Sequence, residues 1–177
     1  MTEAPAPSVR RIVTGVDANG RSHIVGDERL ELAQTPPMGS VVTLWGMDEV
    51  ISLPNDGARP AAEGWMPRPH GARLIVWTKE VTPSTPPVGA QGEAVAAAEV
   101  TELYKKGGMH RTETIDWVML VSGRVSCEMD SGDIVEMSPG DVLIQNGTEH
   151  RWKNIGDTRA MLIAAVHGAY PNPETSS

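Results

Sequence analysis

The second half of the sequence is a succession of short β-type stretches separated by turn residues. In Arg124–Asp130 the apolar residues Val125, Cys127 and Met129 alternate with polar ones, which is typical of a strand with one buried face. Turn residues then separate four further candidate strands, at Asp133–Met137, Val142–Gln145, Glu149–Ile155 and Arg159–Val166. Short strands at such regular spacing predict an antiparallel sandwich or barrel.

The first half adds strands and one helix to this prediction. Asn19-Gly20 separates Val9–Val16 from Ser22–Val25, and this dipeptide between β-type stretches is a strong hairpin signal. Two more strands are expected at Val41–Trp45 and Leu74–Val81, with a Pro- and Gly-rich loop, Pro54–His70, between them. Glu93–Lys105 is Ala-rich and ends at Gly107-Gly108, which predicts a short helix.

These patterns divide the chain into five parts. We expect a disordered N-terminus at 1–8, strands and a long loop at 9–82, and a linker with the short helix at 83–106. The β core follows at 107–169, and a flexible tail at 170–177. The sequence therefore predicts an all-β domain with an N-terminal β extension and one short helix.

Charge and cysteine content restrict the partners and the compartment. A chain of 177 residues is expected to form one domain, and its formal charge of −8 argues against nucleic acid or an anionic membrane as a partner. The single cysteine, Cys127, excludes an internal disulfide and fits a reducing cytoplasm. We find neither a signal-peptide pattern nor an apolar stretch of about 18 residues, so we expect a cytoplasmic protein.

Two histidines, His110 and His150, are candidate site residues, and His150 lies on the candidate strand Glu149–Ile155. His150, Trp152 and Asn154 share one face of that strand, and charged Arg151 and Lys153 share the other. Because charges belong outside, His150 is expected to point inward, with Trp152 as a possible pocket wall. A buried imidazole needs a metal or a hydrogen-bond partner, so a hydrogen-bonded core histidine is the alternative.

The first histidine lies ahead of the strand that runs into Trp117–Val121. His110, Thr112 and Asp116 have the same parity and leave the same face if the segment is extended. An inward carboxylate is costly unless it binds a metal or acts as a buried acid or base. A turn-capping aspartate is the alternative, but two histidines and a carboxylate together favour a divalent metal site.

The segment from Gly107 to Asn154 resembles the two motifs of the cupin superfamily. Asp116 and Gly123 are separated by six residues, Gly147 and His150 by two, and His150 and Asn154 by three, as in the motif positions of that family. The chain is also similar to small single-domain cupins with a His-Arg-Thr-x-Thr-x-Asp signature, here His110–Asp116, and an Arg-Arg-x-Val-Thr-Gly start, here Arg10–Gly15. This resemblance implies a jelly-roll β-barrel, and a homodimer that exchanges the Val9–Val25 hairpin.

The resemblance also assigns metal ligands, with two departures. His110, Asp116 and His150 take ligand positions, whereas Thr112 stands where a second histidine is usual. Asp116 replaces a glutamate and reaches about 1.5 Å less far, so it is a ligand, an outer partner of a ligand or a general base. Gln145 replaces a motif proline. The implied cofactor is a divalent transition metal, iron first, with nickel, manganese, copper or zinc as alternatives.

Two functions from different classes follow. The first is a metal-dependent enzyme that acts on a small organic substrate inside the barrel, as a dioxygenase or as a lyase or isomerase. Asp116 is then the catalytic base, and Trp152 and Thr112 are substrate-binding residues. The second is a non-catalytic cupin without metal that binds a small molecule or has a structural role.

Overall fold

All regular elements that the computed structural model describes, within residues 6–35, 39–81 and 107–172, are β-strands. The predicted helix Glu93–Lys105, its linker and most of the two terminal segments lie outside these residues. The strands are β1 (Ser8–Val16), β2 (Ser22–Glu31), β3 (Ala33–Thr35), β4 (Gly39–Met47), β5 (Ala72–Lys79), β6 (Thr114–Ser122), β7 (Val125–Met129), β8 (Ile134–Met137), β9 (Val142–Asn146), β10 (His150–Asn154) and β11 (Ala160–Gly168).

The strands form three antiparallel sheets. Six strands pair in the order β3-β4-β5-β11-β6-β9, three in the order β10-β7-β8, and β1 pairs with β2 as a hairpin. The all-β prediction is confirmed, and every strand expected from the sequence in the described residues is present. These pairings give separate sheets in a sandwich-like arrangement, and they do not show the closed barrel that we expected.

The main core lies between the six-stranded and the three-stranded sheets. Val118 and Leu120 of β6 are buried, whereas Trp117 and Met119 between them are exposed, as period-two alternation requires. Val125 and Cys127 of β7 are fully buried in the same way. Burial of each such aliphatic side chain contributes about 1.5–3 kcal/mol, so this alternation fixes the register of the motif-bearing strands.

A second apolar cluster lies on the opposite face of the six-stranded sheet. Leu32, Leu44 and Val76 are buried there, and Val9 and Leu30 of the N-terminal hairpin pack against them. Because Ile75 belongs to the main core and Val76 to this second cluster, β5 is buried on both faces. The hairpin thus covers one end of the sheet's outer face.

The long loop between β4 and β5 is held by a buried arginine. The Arg73 guanidinium lies 2.7 Å from Asp48 Oδ1 and donates to the carbonyls of Met47 and Glu63 at 3.1 and 2.8 Å. Arg73 is 2 % exposed, so these contacts replace its hydration. They fix the loop that carries Trp65 and Met66, and both of these side chains pack against the main core.

None of the described residues forms a helix of the length and apolar character that crossing a bilayer requires.

Candidate functional site

His110 and His150 are direct cross-strand partners. They form an isolated antiparallel bridge in which His110 N donates to His150 O at 2.9 Å and His150 N donates to His110 O at 2.8 Å. Side chains of residues paired in this way leave the same side of the two strands. The two imidazole rings consequently have their centroids 4.5 Å apart.

The remaining hydrogen bonds of the two rings define which nitrogens carry protons. His110 Nδ1 lies 2.8 Å from the carbonyl oxygen of Gly108, and His150 Nδ1 lies 2.9 Å from that of Thr148. Because a carbonyl oxygen only accepts, each Nδ1 donates and carries the proton in the neutral ring. Each Nε2 then presents a lone pair, which is the tautomer that a metal-binding histidine needs.

Burial keeps both rings neutral. It lowers the pKa of His110, against a smaller raising effect of the hydrogen bond to Gly108. Burial likewise lowers the pKa of His150 to about 4, with the hydrogen bond to Thr148 again opposing it. The two imidazoles are therefore unprotonated on Nε2 at neutral pH.

Asp116 lies inward on β6, as its parity predicted. Burial raises the pKa of its carboxyl, against lowering effects of a hydrogen bond from Thr114 and of an electrostatic interaction with His167. Its Oδ1 atom is buried and has no hydrogen-bond partner among the described residues. Gln145, its direct partner on β9, also has a buried acceptor, Oε1, for which the described part of the chain offers no donor. A buried orphaned oxygen is costly, so this corner is suited to a proton or a bound group.

These side chains line one cavity of about 90 Å³. All of the site residues expected from the sequence contribute to its wall, namely His110, Thr112, Asp116, His150 and Trp152. The structure thus brings together what the sequence placed on separate strands. Thr112 Oγ1 lies 2.7 Å from Thr114 Oγ1, and the Trp152 ring lies edge-on to that of His150, with centroids 6.1 Å apart.

Eight further wall residues were not assigned to a site from the sequence, among them Trp65, Met66, Trp77 and Lys79. Trp65 and Met66 come from the long loop, and Trp77 and Lys79 come from β5. The loop was recognised, but nothing in its composition shows where it folds back. On β5, Lys79 has the same parity as Ile75 and Trp77, which point inward. Because both faces of β5 are buried, this parity predicts that Lys79 lines the cavity only once the face that borders the cavity is known.

The donor set fits a transition metal in part. The two Nε2 lone pairs and the orphaned oxygen of Asp116 are nitrogen and oxygen donors of the kind that iron, zinc or copper bind. However, within the described residues no three His, Cys, Asp or Glu side chains are close enough together to hold one ion. Metal ligation by the histidine pair and by Asp116 therefore remains a prediction.

The comparisons with known proteins place this region in one family. The family model described as "Cupin domain" matches residues 101–166, which contain both motifs. "Phomopsin biosynthesis cluster protein C'" of Diaporthe leptostromiformis is 36% identical over 80 residues, 42% of this chain and 40% of that protein. "Cupin-domain-containing oxidoreductase srdD" of Neurospora crassa is 40% identical over 47 residues, 27% of this chain and 24% of that protein.

A solved structure, the Schizosaccharomyces pombe Cnp3 cupin domain, aligns with 90% of this chain and 87% of its own, at 12% identity and a TM-score of 0.48. The chain spans less than half of the length of the curated relatives that it matches. The family model covers His110, Asp116 and His150, and the strands of this region pair in antiparallel sheets, so this part of the chain is a cupin domain.

Proposed function

We propose that this chain is a metal-dependent cupin enzyme that acts on a small organic molecule in the cavity between its sheets. The observation that carries the proposal is the histidine pair, with both Nδ1 atoms bound to carbonyls and the rings 4.5 Å apart. A core histidine that merely satisfies its hydrogen bonds has no need of a second neutral imidazole beside it. Two such rings facing one cavity are suited to shared coordination.

Among the possible reactions, an oxidative one has the better support. Three of the matched relatives, srdD among them, are named cupin-domain-containing oxidoreductases. Those matches span about a quarter of each relative, so the reaction comes to this chain as part of the proposal. A lyase or isomerase reaction on a carbonyl or enol is the second form of the same hypothesis.

The residues of the cavity have separate roles in this proposal. His110 and His150 hold the metal, which supplies redox chemistry or Lewis-acid polarisation of a substrate oxygen. Asp116, whose pKa is raised by burial, accepts or donates a proton at its unpartnered Oδ1. Trp65, Trp77 and Trp152 exclude water and orient the substrate between aromatic surfaces. Thr112 contacts the substrate through its hydroxyl.

Metal analysis of the untagged protein tests this proposal. We expect near-stoichiometric iron or another first-row metal in the wild type, and loss of at least about nine-tenths of it in a His110→Ala, His150→Ala double variant, because this variant lacks both imidazole ligands of the proposed site. Oxygen uptake with small diketones, enols and phenols then separates an oxygenase from a lyase or isomerase. His23→Ala, at an exposed position on β2, is the control and should keep the metal.

Asp116→Asn divides the roles of the carboxylate. Metal loss in this variant assigns Asp116 as a ligand, and retained metal with at least about a hundredfold lower turnover assigns it as the base. A wild type without metal, and a double variant with unchanged ligand response, would leave only the non-catalytic binding function.

A further inference from the structure

Lys79 is the cationic side chain in the wall of the cavity that contains the histidine pair. It is the last residue of β5, and Ile75 and Trp77, at the preceding positions of the same parity, line the same cavity. Its backbone is fixed on both sides, because it pairs with Ala160 of β11 and its carbonyl accepts a hydrogen bond from Asn154 Nδ2 at 2.8 Å. The lysine is therefore built into the site by two neighbouring strands.

The positive charge of Lys79 affects the pKa of both imidazoles. Burial lowers the pKa of this ammonium group to about 8, so it remains mostly protonated at neutral pH. The positive charge in turn contributes to lowering the pKa of His110 and that of His150. A desolvated cation that acts on both rings lies within the same small volume as the reacting groups.

Apart from Lys79, the histidine pair, Thr112 and Asp116, the cavity is lined by aromatic and aliphatic side chains and by Met66. Three tryptophans, together with Ile75, Val118, Ala164 and Val166, make it mostly apolar and partly flat. The cavity is open on one side and has a volume of about 90 Å³, which favours a small occupant. An occupant has few heavy atoms, a planar body that packs against aromatic rings, and one group that profits from a buried cation.

We propose that the substrate of this cavity is a small planar organic carboxylate, and that Lys79 is the residue that recognises its carboxylate group. The inference rests on the proposed function in that it assigns the substrate class of the same cavity. A carboxylate paired with a buried ammonium gains a charge-assisted hydrogen bond that a neutral isostere lacks. Because the chain as a whole has a formal charge of −8, this local cation provides the attraction that the molecular surface does not.

Crotonate and crotonamide are suitable probes, because they share a planar six-atom skeleton and differ in charge. So small a ligand binds in the millimolar range, which ligand-observed NMR titration measures. We expect the protein as purified to bind crotonate about tenfold or more tightly than crotonamide. In Lys79→Met, crotonate should bind about tenfold more weakly, with crotonamide affected less than about twofold. Lys79→Gln, of similar length, provides a second test if the Met variant misfolds.

Two control variants separate the sources of binding. Lys153→Met removes an exposed lysine from the outward face of β10 and should leave both affinities unchanged. The His110→Ala, His150→Ala double variant should keep the preference for crotonate, because it retains Lys79. If a metal alone bound the carboxylate, this variant would lose the preference. Circular dichroism confirms that each variant is folded.

Equal binding of the two probes, no saturable binding of crotonate at millimolar concentration, or a preference that survives in folded Lys79→Met and Lys79→Gln overturns the inference. Metal content measured on the same samples tells the two failures apart. A metal-bearing protein without the preference rejects the carboxylate assignment alone. A metal-free protein with the preference rejects the proposed enzyme and leaves a carboxylate-binding cavity.

Discussion

His150 makes stability depend on pH in a window that its burial defines. Its pKa is about 4 in the folded protein and 6.5 for the free side chain, so the unfolded chain binds the proton more readily. The contribution of neutral His150 to the free energy of unfolding is fully present above pH 6.5 and is lost as the pH falls towards 4. This contribution is on the order of 3 kcal/mol. Urea unfolding of metal-free protein across this window should show the loss, and His150→Asn should flatten it. If the free energy of unfolding depended on pH equally in the wild type and in His150→Asn, the loss could not be assigned to His150.

The directions of some site side chains could be predicted from the sequence, and those of others could not. The inward position of His150 and Trp152 was predictable, because Arg151 and Lys153 are charged and force the opposite face outward. The inward position of Asp116 was expected from its parity with His110 and Thr112, and the structure shows that it also shares its face of β6 with buried Val118 and Leu120. Lys79 escaped prediction because its strand is buried on both faces, so its charge gave no indication of direction. The hydrogen bonds that set both histidine tautomers depend on loop carbonyls, which no sequence pattern specifies.

Among the elements, the loop between β4 and β5 depends on Arg73. Arg73→Met leaves Asp48, which is 12% exposed, without its ion pair and removes the hydrogen bonds to Met47 and Glu63. We expect the free energy of unfolding to fall by about 3 kcal/mol, as for other buried charges that lose a partner. Proteolysis within 48–71 should accelerate, since the loop then opens more readily than the sheets.

Arg68→Met is the matched control for this prediction. Arg68 lies on the same loop and pairs with Glu63, but both side chains are largely exposed, so its loss should cost less than about 1 kcal/mol. Equal effects of the two substitutions, measured by urea unfolding, would show that burial of Arg73 does not stabilise the loop.

At the same scale, regular strands were predictable and connections were not. Asn19-Gly20 located the first hairpin, and alternation together with turn residues located β7 to β11 within one or two residues. The three-residue strand β3, Ala33–Thr35, has no apolar pattern of its own and forms by pairing with β4. The path of the long loop is decided by the contacts of Arg73, which join positions far apart in the chain.

The whole molecule leaves part of its larger sheet uncovered. The hairpin covers the end of the outer face near β4 and β5, whereas Trp117, Met119 and Ile144 on β6 and β9 are about half exposed. Apolar surface of this kind is typical of an interface, so we propose a homodimer that forms through this face and not through the hairpin exchange implied by the family resemblance. Light scattering at micromolar concentration should give twice the chain mass of 19.0 kDa.

Two variants test where that dimer forms. Trp117→Glu places a charge in the uncovered face and should shift the mass towards a single chain. Ile134→Glu alters an equally exposed apolar residue on the other sheet and should leave the dimer intact. A wild type with the mass of one chain would refute the dimer, and a Trp117→Glu variant that stays dimeric would move the interface to the Val9–Val25 hairpin.

The isolated bridge between His110 and His150 separates the geometry of the site from its chemistry. Both bonds of the bridge join main-chain atoms, so neither requires a histidine side chain, and only proline, which lacks the N–H donor, would remove one of them. A lineage that exchanges either histidine for another residue therefore keeps the spacing of the site while it changes the groups displayed there. The bridge makes these two positions open to evolutionary change of ligand and reaction without loss of the fold that presents them.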